Sequence, residues 1–300
     1  MGWIDENTTE TPAYSHPPLK KPVMPPIDTS ALADVEKWMF SSDEPESKFV
    51  CLIMGKDGTG KSPLALSYLT DEDIKAGKRI VVVDLDGGNM PLIYQYHKER
   101  CERLGRKVDD VFIIKNPLTE FIDDGQIRID YQATFNKIRG MVMITKNKWQ
   151  EHNIKAIVFD GLSTALKHAE AQMRIEKNVD ETGGIQMRFW LIRNKIFIET
   201  LEIIKSLPIS SFFIAHDDFI AKIGEEQSAL KIKTQAMMHQ KIVCSKTIDV
   251  SSVNFVAKVT KSKYNILKEG KEITFGKVNK EDNTYTWTPE IVFEGLIANE

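Results

Sequence analysis

The sequence predicts an α/β protein: a mostly parallel sheet covered by helices on both faces, followed by a C-terminal antiparallel β portion. Three observations predict it. Short apolar runs alternate with longer stretches of helical period from residue 48 onward. The run Ile80-Val81-Val82-Val83 shows no polar alternation, which marks a strand buried on both faces. Beyond Lys241 the pattern changes to shorter strands of alternating character, the habit of an antiparallel sheet.

Taken in order, residues 1 to about 28 carry Pro12, Pro17, Pro18, Pro22, Pro25 and Pro26, too many for a packed element and enough for an extended arm. The arm is read as a tail or as a docking segment for a protein partner. A short amphipathic helix from Ser30 to Phe40 leads into the first core strand, Phe49 to Met54, and an apolar helix follows over Leu64–Leu69. Strands are expected at Arg79–Leu85, Val111–Lys115, Ile154–Asp160 and Ser211–Ala215. Helices are expected at about Met90–Leu104, Tyr131–His152, Thr164–Lys177 and Gln186–Ser206. The antiparallel strands are placed at Lys241–Lys246, Val253–Lys261, Glu272–Val278 and Tyr285–Thr288. The expected division is an arm and helix over 1–47, a core over 48–265 and a β extension over 266–300.

Composition narrows the class. With 42% hydrophobic and 28% charged residues, the chain reads as an ordinary soluble globule. Cys51, Cys101 and Cys244 form no C-x-x-C pair and are odd in number, so no disulfide framework or zinc site is expected and a reducing compartment is. The first 30 residues are acidic and proline-rich, and no apolar run approaches the ~18 residues of a membrane span, so a cytoplasmic location without membrane contact is expected. A net charge of −3 confines any nucleic-acid contact to a local patch.

The chemistry starts at Gly55, Lys56, Asp57, Gly58, Thr59, Gly60, Lys61 and Ser62, a complete G-x-x-x-x-G-K-S phosphate loop between strand and helix. Backbone N–H groups there, kept accessible by the three glycines, can surround a β-phosphate, with the helix start adding positive potential. Lys61 would reach the β- and γ-phosphates and Ser62 would ligate Mg²⁺. Pro63 follows in the first helical turn, where no backbone N–H is needed. Ile157-Val158-Phe159-Asp160 is an apolar strand ending in aspartate, the form of a carboxylate that holds Mg²⁺ through water. The second strand ends Asp84-Leu85-Asp86, and one of these carboxylates can orient an attacking water, Asp86 being preferred for lying nearer the strand's exit.

Residues 81–94, Val-Val-Val-Asp-Leu-Asp-Gly-Gly-Asn-Met-Pro-Leu-Ile-Tyr, then 110–117, Asp-Val-Phe-Ile-Ile-Lys-Asn-Pro, and 157–163, Ile-Val-Phe-Asp-Gly-Leu-Ser, resemble in order and spacing the core of the RecA-like P-loop ATPases. The likeness covers roughly residues 48 to 265 and is strongest toward the phage single-strand-annealing ATPases of the Sak type. It implies ATP with Mg²⁺ as cofactors, single-stranded DNA as partner and assembly of identical chains into a filament or ring. The family's catalytic glutamate falls on Asp86, a shorter side chain. Its γ-phosphate sensor falls on His216, which otherwise reads as a cap of the next turn.

The resemblance also suggests a DNA-contacting loop over 218–240, with Lys222, Lys231 and Lys233; a second candidate is the segment Lys177–Arg188, with Gly183-Gly184 as a flexible turn and Arg188, Phe189 and Trp190 nearby. Solvated lysines and a core tryptophan are the plainer alternatives. In the strand from Val253 the odd positions are apolar to Val259 and then become Lys261 and Lys263. These read either as an exposed basic strand end or, by the resemblance, as cations reaching the next subunit's nucleotide. The function expected is an ATP-hydrolysing, single-stranded-DNA-binding recombinase or annealing protein. A ring-type DNA motor and a nucleotide-switched scaffold are the rivals, while a small-molecule kinase leaves the β-rich tail unexplained.

Overall fold

A computed structural model describes residues 48–87, 90–180, 183–216, 230, 233–282, 284–294 and 296, with backbone alone for 90–96 and 285. The N-terminal arm, Lys222 and Lys231 lie outside the described residues. The described residues fall within one compact unit, Pro45–Glu300.

Among the described residues nine strands form one sheet in the order β11-β10-β9-β8-β1-β7-β6-β2-β3. Their ranges are β1 Val50–Gly55, β2 Arg79–Asp84, β3 Phe112–Lys115, β6 Ile154–Asp160, β7 Ser210–His216, β8 Gln240–Ile248, β9 Ser252–Ser262, β10 Glu272–Asn279 and β11 Tyr285–Trp287. A separate hairpin pairs β4, Glu120–Asp123, with β5, Gln126–Ile129. The helices are α1 Lys61–Leu66, α2 Asp71–Lys75, α3 Met90–Arg103, α4 Val108–Val111, α5 Tyr131–Lys148, α6 Leu162–Glu176 and α7 Met187–Lys205.

The central strands carry unbroken apolar runs because both faces are covered. Side chains of a strand alternate between faces, and β1 divides accordingly: Cys51 and Ile53 join the core around α1, whereas Val50, Leu52 and Met54 join the core beneath α5, α6 and α7. Phe212 and Phe213 on β7 split the same way, and full burial of a phenylalanine is worth about 1.5–3 kcal/mol each. The ring of His97 on α3 is wedged into the first core against Phe112 at 4.9 Å. Burial first, then the Arg100 charge, pushes its pKa down to about 3, so it sits there neutral.

One expectation is corrected. The segment over 241–246 was expected to be antiparallel, but β8 runs parallel to β1, Cys51 opposite Gln240 and Gly55 opposite Cys244. The antiparallel part begins one strand later, with β9 on β8, β10 on β9 and β11 on β10, and it continues the main sheet. The alternation in β8 comes from one-sided cover: Ile242 and Cys244 are buried while Lys241 and Val243 are partly exposed. Among the short elements not anticipated are the β4–β5 hairpin, α2 and α4. The β4–β5 hairpin turns at Asp124 and Gly125, both at positive φ, and α2 starts at a capping box in which Thr70 and Asp73 bond reciprocally.

The register sets the site. Gly55 is level with His216, and Asp84 with Asp160, so β1, β7, β6 and β2 all end at one edge of the sheet. That edge holds the ends of four parallel strands, the place where open α/β sheets bind ligands.

Candidate nucleotide site

The phosphate loop joins β1 to α1 with Gly58 and Gly60 at φ 67° and 83°, a conformation that L side chains rarely adopt. Crowding adds a second constraint, since a Cβ on Gly55 would sit 2.4 Å from the Cys244 carbonyl oxygen and 2.7 Å from Thr59 Oγ1. Lys61 Nζ arches back across the loop and donates to the carbonyls of Gly55 at 2.9 Å and Lys56 at 2.8 Å. Thr59 Oγ1 donates to the Lys56 carbonyl at 2.8 Å. No described residue accepts a hydrogen bond from the N–H groups of Gly58, Thr59, Gly60, Lys61 or Ser62. The first helical bond on this side runs from Leu64 N–H to the Gly60 carbonyl. Unsatisfied donors around a glycine cradle, with a lysine held inside it, are the donor set that a phosphate chain satisfies.

Ser62 and Asp160 meet although 98 residues separate them: Ser62 Oγ donates to Asp160 Oδ2 at 2.6 Å. Asp160 is 3% exposed. Burial first, and then the neighbouring Asp86 and Asp84 carboxylates, push its pKa up to about 6, against the lowering effect of Ser62 and Lys61. Asp84 is raised as well, again chiefly by burial, while the Gly87 N–H donates to it at 2.9 Å and opposes the rise. Crowded, desolvated carboxylates of this kind are relieved by a cation. Among the described residues no group of three or more His, Cys, Asp and Glu side chains can hold a metal. A hydroxyl and a carboxylate side by side therefore suit Mg²⁺ completed by phosphate oxygens and water, its usual mode of binding.

Asp86 sits just beyond the end of β2, where Thr164 Oγ1 donates to its Oδ1. His216, the last residue of β7, sets Nδ1 2.8 Å from Asp57 Oδ1 and Nε2 3.4 Å from Asp86 Oδ2. Its ring thus bridges the crown of the phosphate loop and the carboxylate beyond β2. The first turn of α6 supports both groups: Ser163 Oγ accepts from the His216 N–H at 3.1 Å, and Thr164 holds Asp86. Gly161 makes room for this. It sits at φ 103°, and a Cβ there would lie 2.8 Å from both Asp86 Oδ1 and Leu85 Cβ. Ser163, Thr164 and the pairing of Asp57 with His216 were missed from sequence, where hydroxyls in a first helical turn look like any helix start.

The remaining residues lie elsewhere. Lys261 donates to the Gln235 carbonyl at 2.6 Å, and the Lys263 N–H donates to the His239 carbonyl at 2.9 Å. Because β9 returns antiparallel, Ser262 is level with Gln240, and Gln240 with Cys51, at the start of β1. Both lysines thus stand at the end of the sheet away from their own phosphate loop: Lys261 is level with Lys241 and so with Leu52, three strand residues or about 10 Å from the level of Gly55, and Lys263 lies farther along. Burial first, then Lys263, Lys205 and Lys241, lowers the Lys261 pKa, with Glu269 acting the other way. Lys48 there donates to the carbonyls of Lys205 and Leu207. This end is a cluster of lysines. Of the candidate DNA residues, Lys233 is exposed, and Arg188 lies over the Phe189 ring at 5.0 Å. The neighbouring Trp190 packs under the Arg193 guanidinium at 4.2 Å. Among the described residues no helix is long and apolar enough to cross a membrane.

No family model matches the chain, and no curated protein does. Among solved structures it is similar to a RadB recombinase, with a TM-score of 0.44 and 17% identity over 75% of this chain and 86% of that one. It is also similar to a KaiC-like protein from the archaeon Pyrococcus horikoshii, with a TM-score of 0.42 and 15% identity over 77% of this chain and 85% of that one. At these scores neither likeness places the chain in a family.

Proposed function

We propose that the chain is a RecA-like, Mg²⁺-dependent ATPase that acts on single-stranded DNA as an assembly of identical subunits. The observation that carries the nucleotide chemistry is the 2.6 Å bond from Ser62 to Asp160 at the mouth of the phosphate loop, with Asp86 and His216 on adjoining strand ends. In this reading the loop's N–H groups and Lys61 hold the phosphates, Ser62 and Asp160 hold Mg²⁺, and Asp86 accepts the proton of the attacking water. Bound Mg²⁺ supplies charge neutralisation between the phosphates. Thr164 keeps Asp86 in place, and His216, already facing the loop, is the sensor of the terminal phosphate.

The positions of Lys261 and Lys263 support the multisubunit part. They stand too far from their own loop to touch its nucleotide, so a nucleotide within their reach belongs to a second chain. Cations brought to a transferring phosphate stabilise the charge that develops there. Lys233 and Arg188, with Lys222 and Lys231, are the proposed DNA contacts.

ATP turnover measured with and without single-stranded DNA tests the proposal. Turnover raised by DNA is expected, and ATP-dependent assembly with no DNA binding would transfer the reading to a nucleotide-switched scaffold. Turnover recovered by mixing the Lys261→Ala, Lys263→Ala double variant with Lys61→Ala chains is expected if the lysines act across subunits. A wild-type rate in the double variant alone removes them from the site.

A further inference from the structure

The geometry points to Lys246 as a second cation of the phosphate site, binding the non-transferred end of the polyphosphate within its own chain. The inference rests on the nucleotide reading above and adds a residue that the motif does not contain. β8 lies beside β1 with Cys244 level with Gly55, so Lys246 stands two residues past the level at which β1 enters the loop. Its Nζ lies 3.5 Å from the position that a Cβ on Gly58 would take, at the crown of the cradle. The side chain is exposed and makes no ion pair or hydrogen bond with a described residue. The nearest loop carboxylate, Asp57, already faces His216. The Lys246 ammonium thus stands beside Gly58 of the phosphate loop, with no counter-charge among the described residues.

The strand order says which part of the ligand it meets. β8 flanks β1 on one side, whereas β7, β6 and β2, which carry His216, Asp160 and Asp86, flank it on the other. The transferred phosphate belongs to the carboxylate side, where the water-orienting group and the Ser62–Asp160 pair are. Lys246 approaches from the opposite side and meets the phosphate oxygens shared by the diphosphate and the triphosphate. An interaction made equally in substrate and transition state changes affinity and leaves the chemical step alone.

The test uses full-length wild type, Lys246→Met and Lys246→Arg, without nucleic acid, titrated with ATP and ADP in Mg²⁺, with melting curves to verify the fold. Lys246→Met is expected to weaken ADP and ATP binding by the same factor, roughly five- to twentyfold for an exposed charge-assisted bond, with KM raised and kcat unchanged. Lys246→Arg is expected to retain most of the affinity. Unchanged ADP and ATP affinities in Lys246→Met overturn the inference, and so does a loss of kcat with normal ADP affinity, which would put the lysine on the transferred phosphate. Failure of wild type to bind either nucleotide would overturn the underlying nucleotide reading instead, so the two failures are distinguishable.

Discussion

Replacing Asp160 by asparagine is expected to stabilise the metal-free protein at neutral pH while disabling it. The carboxyl is 3% exposed, and its pKa stands at about 6 against an ordinary 3.8. At 1.36 kcal/mol per unit, a shift of about 2 units corresponds to about 3 kcal/mol. The sign follows from proton counts. Between pH ~4 and ~6 the folded state binds more protons at this group than the unfolded chain, so stability falls as pH rises through that window and stays lower above it. Asparagine keeps an acceptor for Ser62 and carries no charge, so its advantage should be near zero at pH 4 and reach about 3 kcal/mol by pH 8. In a chain of this size that is roughly 6–10 °C in Tm. The assay is denaturant unfolding of both proteins in chelator from pH 4 to 8. Asp84, also raised, titrates in both and largely cancels from the difference. Adding Mg²⁺ with ATP should raise the wild-type Tm and leave the variant nearly unmoved. A stability difference that does not grow between pH 4 and 6 would refute the premise that burial holds a carboxyl of raised pKa at the end of β6.

Asp86→Asn should retain ATP affinity and slow turnover by roughly 10²-fold, the scale of a lost general base, as measured in single-turnover hydrolysis. Thr164→Val should give a partial version of the same loss and Thr164→Ser should recover it, whereas equal rates in all three would show that the Thr164 hydroxyl does not position Asp86. Asp73 caps α2 and accepts from Lys155 and from Lys78, the latter at 2.9 Å. Burial alone would raise its pKa, but these bonds and the Thr70 N–H outweigh that and hold it below 3.8. Its contribution is present above about pH 4 and is lost as pH falls further. Asp73→Asn should therefore cost roughly 2 kcal/mol at pH 7 and have little effect in acid, by urea unfolding at both pH values.

The parallel core was legible because burial on both faces leaves a chemical trace: Ile80 to Val83 and Ile157 to Phe159 have no face on which a polar residue could be placed. The direction of β8 left no such trace. Its alternation records that one face lacks cover, and an edge region lacks cover whether its strand runs parallel or antiparallel to the neighbour. The hairpin over 120–129 is legible in Asp124-Gly125, a turn pair flanked by strand-forming residues. The phosphate loop and Asp160 were readable because each is a residue type fixed at a strand end. Thr164 was not, because its meaning depends on Asp86, 78 residues away, coming within reach of the first turn of α6.

Lys261 and Lys263 show the same division between composition and placement. That the strand ends in cations is visible in the letters, but which end of the sheet receives them is decided by two pairings, β8 parallel to β1 and β9 antiparallel to β8. Had β8 been antiparallel to β1, as its alternation suggested, β9 would have ended beside the phosphate loop, and the lysines could have served their own chain's nucleotide. The parallel pairing reverses that outcome. It puts Lys261 and Lys263 with Lys205, Lys241 and Lys48 at the far end, and leaves the near side of the loop to Lys246, which β8 delivers in the same stroke. In the proposed reading one strand direction thus separates two groups of cations, Lys246 serving its own chain's nucleotide and Lys261 with Lys263 a neighbour's. Lys246→Met should accordingly weaken nucleotide binding by isolated chains, whereas the double lysine variant should show its defect in assembled chains alone.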